Sequence, residues 1–531
     1  NVNANDSVDG LTVTGGTLEG PGTLTTTTYF QNGGDMAGLV DASGVKTLEG
    51  GVISGTLSGA GATTIQAGTT TITGSIDGDV TVAANGELRI ASDIAVTGSI
   101  TTTGSVINYA DGVNTASALI ISSPTTDLKV LSGDAATQSG VISSTGAFGF
   151  EKVGTGNLTV SGVNTYTGVT TVSEGTLTVT NNAGLGAAGA GNETTVADGA
   201  TLAVQGGITS GEAITLNGTG LAGGGALHSL SGNNTVSGAV TLGSDATITT
   251  SANLLTLSGG ITGAGNTVTF DGAGNTNVTS VIATGAGGLT KDGTGVLTLS
   301  GANTYTGTTA VTEGVLNITG SVDSTALSTA AGATLQAASG ALVTGAAVTN
   351  DGNFDVNGLV SIAELDNTGA TTLNASLFLN SGTSDLGGTI TGVGGLIVLG
   401  GTANVTTALA YSGTTGISGG DMNVTGAGAL ASTAVNVSSG TLTTDSDALA
   451  PGAQVNVSDT GTFTSSGTDS YTSITQTGGT INGSGVQTLS GGFNQSGGST
   501  GDTVDINAAT FTQSNSATIG AGTKVTSSGA Q

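Results

Sequence analysis

Cysteine and tryptophan are absent, and histidine occurs once, at His228. A disulfide framework, a thiol nucleophile and a cysteine-built metal centre are therefore excluded, while the compartment is left open on this ground alone. Proline occurs only at Pro21, Pro124 and Pro451, and aromatic residues make up 3% of the chain. Any core must then be layered from Val, Leu, Ile and Ala rather than built around large rings. Six Lys and Arg stand against 35 Asp and Glu, a formal charge of −29, and Lys46, Arg89, Lys129, Lys152, Lys291 and Lys524 are scattered along the chain. Nucleic acid is not an expected partner, because phosphate binding needs clustered cations. No apolar run reaches the roughly 18 residues of a membrane helix, so no transmembrane segment is predicted. Asn1 to Gly10 also lack the basic and apolar pattern of a signal peptide, which makes a mature form the expectation for an exported protein.

What the chain has is glycine, 97 residues of it, with a mean hydropathy of +0.24. Regular apolar alternation and the absence of a compositional break argue for one ordered array rather than a disordered or multidomain chain. Its organising stretch is Lys152 to Val179, KVGTGNLTVSGVNTYTGVTTVSEGTLTV, which returns from Lys291 to Ile318 as KDGTGVLTLSGANTYTGTTAVTEGVLNI. Gly154, Gly156, Leu158, Asn164, Tyr166, Gly168, Val172, Gly175 and Leu177 correspond to Gly293, Gly295, Leu297, Asn303, Tyr305, Gly307, Val311, Gly314 and Leu316. A weaker copy over 387–424 keeps Tyr411-Ser412-Gly413-Thr414-Thr415. Internal repetition of this kind marks a modular array.

Within the motif, Leu158, Val160, Val172, Leu177 and Val179 alternate with Thr159, Thr171 and Thr178, the period of short strands with one buried face. The glycines between them, at Ser161-Gly162, Thr167-Gly168 and Glu174-Gly175, are expected to supply the positive φ of sharp corners. Such strands make one coil of about 20 to 25 residues, which buries its apolar face only when others stack on it.

The string Gly-x-Gly-x-Leu-Thr-(Val/Leu)-Ser-Gly-x-Asn-Thr-Tyr-Thr-Gly-x-Thr-x-Val-x-x-Gly-x-Leu resembles the passenger-associated repeat of bacterial autotransporters, the type V secreted proteins. Segments from Val141 and from Val281 look like the lead-in to that repeat, giving copies over 141–179 and 281–318. The resemblance implies a right-handed parallel β-helix lying outside the cell or on its surface. The C-terminal membrane barrel usual in that family has no counterpart in these residues.

The expected fold is therefore all-β, a right-handed parallel β-solenoid, continuous over 1–454. A Gln/Asn/Ser-rich continuation over 455–531 is expected to stack its side chains in ladders. Asn85-Gly86, which would mark a hairpin elsewhere, is read as a corner between coils. The Gly/Ala-rich patch from Asn181 is expected to be a loop or a single helical turn. The stretch Ala116 to Ser132, which contains Pro124, is expected to hold a bulge or inserted strand.

No residue set rises to catalysis, cofactor binding or metal ligation. A lone histidine is ordinarily a surface or rim residue, and no Gly-x-Ser-x-Gly elbow precedes a helix. The pairs Asp445 with Asp447 and Asp502 with Asp505 read as solvated turn acids, without calcium-loop spacing. Tyr166, Tyr305 and Tyr411 are expected to pack corners rather than stack on sugars. A polysaccharide-acting enzyme on a β-helix is disfavoured by the scarcity of bases. Sequence thus points to a non-enzymatic extracellular structural protein, with an autotransporter adhesin as the alternative. The repeat style already present at Leu11 and still present at Lys524 suggests head-to-tail self-association into filaments. A surface glycan or matrix ligand is the other partner class.

Overall fold

The computed structural model describes residues 6–93, 95–338, 342–343, 345–501, 503–514 and 516–527. It is all-β with parallel pairing of successive coils, and its one helical element among the described residues is the 3-10 turn Leu221–Gly223. Two compact units, 1–280 and 281–531, are described separately.

In the first unit each coil contributes short strands that stack on those of the coil before. Thr170–Val172 lies on Glu151–Val153, Thr194–Val196 on Thr170–Val172, and Ile214–Gly218 on Thr194–Val196. Asn157–Val160, Thr176–Val179, Thr201–Gln205 and Leu227–Ser231 form a second column. In-register stacking turns the alternation of each strand into continuous rows. Leu158, Leu177, Leu202, Leu227, Ile248 and Phe270 follow one another inward, all buried. Thr171, Thr195, Thr215, Thr241 and Thr262 follow one another on the outside.

The second unit repeats the arrangement. Leu297, Leu316, Leu335 and Phe354 make an inner row, and Asp366, Asp385, Asn404 and Asn423 an outer one. Outer side chains bond along their row, with Asn404 Nδ2 donating to Asp385 at 2.9 Å and Asn423 Nδ2 to Asn404 at 3.2 Å. Past residue 454 the outer ladder continues as Asn456 to Asn436 (2.8 Å), and a buried one joins Gln495 to Gln476 (3.1 Å).

Carboxylates perform a recurrent local task by accepting a backbone N–H from a neighbouring coil. Asp79 takes that of Ser99, Asp93 that of Asn114 and Asp111 that of Ala135. Asp245 takes Thr267, Asp421 takes Thr441, and Glu364 takes Thr383.

One expectation is corrected, and two others can be placed. Ala116 to Ser132 is regular: Leu119–Ile121 and Asp127–Val130 pair without register shift, and Pro124 occupies the turn between them, where no ladder N–H is required. The irregularities lie elsewhere, between Val82 and Asn85, Val204 and Gln205, Leu216 and Gly218, Ile417 and Asp421, and Leu489 and Gly492. Asn85 and Gly86 pair in parallel with Ala67 and Gly68 inside Val80–Ile90, so they follow a bulged bend and not a hairpin. The patch from Asn181 is a turn and loop, with Leu185 folded inward.

Candidate functional site

Both strong copies build one constellation, in which a lysine, an asparagine and a tyrosine point into the solenoid at consecutive corners. Lys152 and Lys291 are buried and lie beside Val172 and Val311 on the next coil. Lys152 Nζ donates to the carbonyls of Gly154 (2.7 Å), Val153 (3.2 Å) and Glu174 (3.2 Å). Lys291 Nζ donates to those of Gly293 (2.5 Å), Asp292 (2.8 Å) and Glu313 (3.3 Å). An ammonium with its protons used this way is tolerated away from water because each has an acceptor. Burial nevertheless pushes the Lys152 ammonium down to about 8, with the Glu174 carboxylate opposing the shift. Lys46 is likewise buried, donating to Gly59 O at 2.8 Å.

The asparagine ties three coils. Asn164 accepts from the Ile142 N–H (2.8 Å) and donates to Gly184 O (2.7 Å). Asn303 accepts from Ile282 N–H (2.9 Å) and donates to Ser321 O (3.0 Å). Tyr166, Tyr305 and Tyr411 are fully buried, which removes the sugar-stacking alternative, and each hydroxyl meets a threonine hydroxyl four residues on. Phe150 packs edge-on against Tyr166 at 5.4 Å between centroids.

The glycines divide by cause. Gly154, Gly175, Gly293 and Gly314 have φ near +70°. Gly175 stacks on the Gly154–Gly156 turn, and Gly314 likewise on Gly293 and Gly295, so a Cβ there would lie 2.5–2.6 Å from the carbonyl oxygens below. Gly168 and Gly307 do not have positive φ, contrary to expectation, and neither does Gly162. Their reason is the adjoining coil: a Cβ on Gly168 would lie 2.4 Å from Gly149 N, and one on Gly307 2.4 Å from Gly287 O. Leu158, Leu177, Leu297, Leu316, Val172 and Val311 all point inward.

Other titratable groups sit apart from this constellation. Glu212 is 2% exposed with neither carboxyl oxygen bonded, and burial, aided by Glu193, pushes its carboxyl up to about 8. Asp469 is buried among Ser465, Thr444 and the Ala448 N–H, and burial raises its carboxyl. Asp445 accepts from Gly426 N–H and Ser466 Oγ, Asp447 occupies a turn at φ 58°, and Asp502 lies outside the described residues. His228 is half-buried, its Nε2 2.7 Å from Ser251 Oγ. A shallow outer groove of about 510 Å³ beside the first copy is lined by Asp127, Lys129, Leu131, Val153 and Glu174 among others. Among the described residues no group of three or more His, Asp or Glu could hold a metal, and no helix is long and apolar enough to cross a membrane.

Sequence reasoning missed the lysines, although the identity of Lys152 and Lys291 at one repeat position was the available signal. It also missed the pairing of His228 with Ser251, which depends on coil length.

A family described as Passenger-associated-transport-repeat matches residues 150–179 and 289–318, the two lysine–asparagine–tyrosine corners. Over 159 residues, 29% of this chain, the sequence is 35% identical to the Adhesin BmaC autotransporter of Brucella suis biovar 1 (strain 1330). That stretch is 4% of the relative's length. No solved structure matches. Two passenger-associated repeats, likeness to an autotransporter adhesin and a parallel β-solenoid together support an autotransporter passenger, a likeness that implies a place outside the cell or on its surface.

Proposed function

We propose that this chain is an adhesive segment of a surface-displayed passenger, with the solenoid as scaffold and its outer rows and grooves as the contact face. The observation that carries the reading is the pair of passenger repeats in a chain similar to an autotransporter adhesin. The division of labour supports it: the inward Leu, Val, Lys and Tyr are committed to stacking, which leaves outward Thr, Asn and Asp rows free to vary with the ligand. A neutral glycan or a matrix protein suits this surface better than a polyanion, because 35 acids face six bases and Lys46, Lys152 and Lys291 are buried.

Beads coated with the purified chain test the reading on immobilised matrix proteins and a glycan panel. Retention well above albumin-coated beads on at least one surface is expected, and equal retention on all of them removes the adhesive role. End-to-end assembly into filaments is a separate proposal, carried only by the repeat style running through the chain. Negative-stain microscopy decides it, and dispersed particles at all concentrations refute it.

A further inference from the structure

The only histidine in the chain lies where unusual backbone is concentrated. Ala222 (φ 52°) and Asn253 (φ 61°), two of the four non-glycine residues with positive φ among the described residues, fall on the two segments beside His228. The first belongs to the 3-10 turn Leu221–Gly223, in a flap closed by Gly225 N–H to Thr219 O and tied down by Leu221 N–H to Thr201 Oγ1. This flap covers outward positions of the sheet, so that Ala203 and Thr249, the register neighbours of His228, are buried and Thr249 Oγ1 has no partner. The second segment is the turn after Val240–Thr250, which leaves Ser251 exposed and is held by Asn253 Oδ1 accepting from Gly232 N–H (3.1 Å). Strained backbone of this kind persists where the surroundings over-determine it, and it concentrates at functional sites.

We propose that Ser251 and His228 form a nucleophile–base pair that transfers acyl groups from small esters. Nε2 of His228 stands 2.7 Å from Ser251 Oγ, the distance a general base needs. The flap desolvates the imidazole and lowers its proton affinity, which keeps it neutral and able to accept. Asp271, next in the outward row after Thr249, opposes that shift and so favours the imidazolium formed in the reaction. The other register neighbours of His228, Ala203 and Thr249, carry no charge. In the reaction Ser251 Oγ bonds to the ester carbonyl carbon as its proton passes to Nε2. The carbon–alkoxy bond then breaks, and the alkoxide leaves with that proton as the alcohol. Water attacks the acyl-serine by the same route, giving the acid and restoring both side chains. This inference goes beyond the adhesive reading and does not depend on it.

The test uses the full chain with a fluorophosphonate probe, located by mass spectrometry, and with p-nitrophenyl acetate. Expected are labelling of Ser251 well above Ser231, its loss in Ser251→Ala, and a fall of at least about tenfold in labelling and hydrolysis in His228→Gln with an unchanged melting temperature. If His228→Gln melts early, the unaltered chain decides by its pH profile, which should rise between about pH 5 and 8 as the imidazole loses its proton. No labelling of Ser251 above Ser231, full labelling in a folded His228→Gln, or a flat pH profile overturns the proposal.

Discussion

Tyr166 and Thr170 face each other across one corner of a coil, their hydroxyls 2.6 Å apart in the interior, and the pair recurs as Tyr305–Thr309 at 2.8 Å and Tyr411–Thr415 at 2.6 Å. A tyrosine ring fills the corner, and the threonine satisfies the one polar atom that comes with it. Tyr166→Phe should therefore destabilise the chain by about 0.5 to 1.5 kcal/mol, by leaving Thr170 Oγ1 unpaired. Denaturant midpoints measure this, and an unchanged midpoint would show that the hydroxyl pair contributes nothing.

Gly168→Ala and Gly307→Ala should each cost about 1 to 3 kcal/mol through overpacking against the adjoining coil. The clash is with backbone, at 2.4 Å in both places, so it cannot be relieved by a side-chain rotation. Wild-type melting of both variants would refute the close approach.

Leu158→Ala and Leu297→Ala should each cost about 2 to 5 kcal/mol, since both are fully buried in an inner row. Local hydrogen exchange is the suitable measurement, because loss of packing in one coil frees its immediate neighbours first. Protection left intact around either site would overturn the inward register.

Lys152 and Glu212 should give the first unit opposed responses to pH. Glu212 holds its proton up to about 8 against an ordinary 4.5, so between those values the folded chain binds more protons and stability falls as pH rises. Lys152 loses its proton at about 8 against an ordinary 10.5, so above 8 the unfolded chain binds more and stability rises. Glu212→Gln should flatten the descending limb and Lys152→Met the ascending one. Lys152→Met should also cost about 1 to 3 kcal/mol at neutral pH by stranding its carbonyls. Denaturation at a series of pH values reads both limbs, and parallel curves for the variants and the parent would be inconsistent with these burials.

At still higher pH a further effect should dominate. Burial raises the phenols of Tyr29, Tyr109, Tyr166, Tyr305, Tyr411 and Tyr471 above their ordinary 10.0. Their contribution is complete below that value and is lost as pH rises past it, because only the unfolded chain ionises there. Cooperative alkaline unfolding with simultaneous phenolate absorbance is expected, and phenolate appearing before the loss of β-structure would argue against it.

The inward row of leucines, the coil habit and the strand-by-strand alternation could be read from sequence because a period of two survives stacking unchanged. What could not be read depends on which residue meets which across coils. Hydrogen bonds between coils join residues 17 apart in Asn350–Asn367 and 29 apart in Tyr109–Gln138. No single period therefore predicts that His228 reaches Ser251 or that Gly168 abuts Gly149. Pro124 looked disruptive, yet it occupies a turn where its missing N–H costs nothing. The burial of Lys152 and Lys291 could not be read either, since sequence alone does not reveal three carbonyls converging on one ammonium.

The carboxylates that accept a neighbouring coil's N–H give the chain's acidity a second origin. The backbone amides of Ser99, Asn114, Ala135 and Thr441 are met by Asp79, Asp93, Asp111 and Asp421, each with a side-chain oxygen that lysine or arginine does not possess. Selection for orderly bends would by itself accumulate negative charge with every added coil. An acidic exterior can thus grow in proportion to length as a by-product of architecture, without any partner having asked for it.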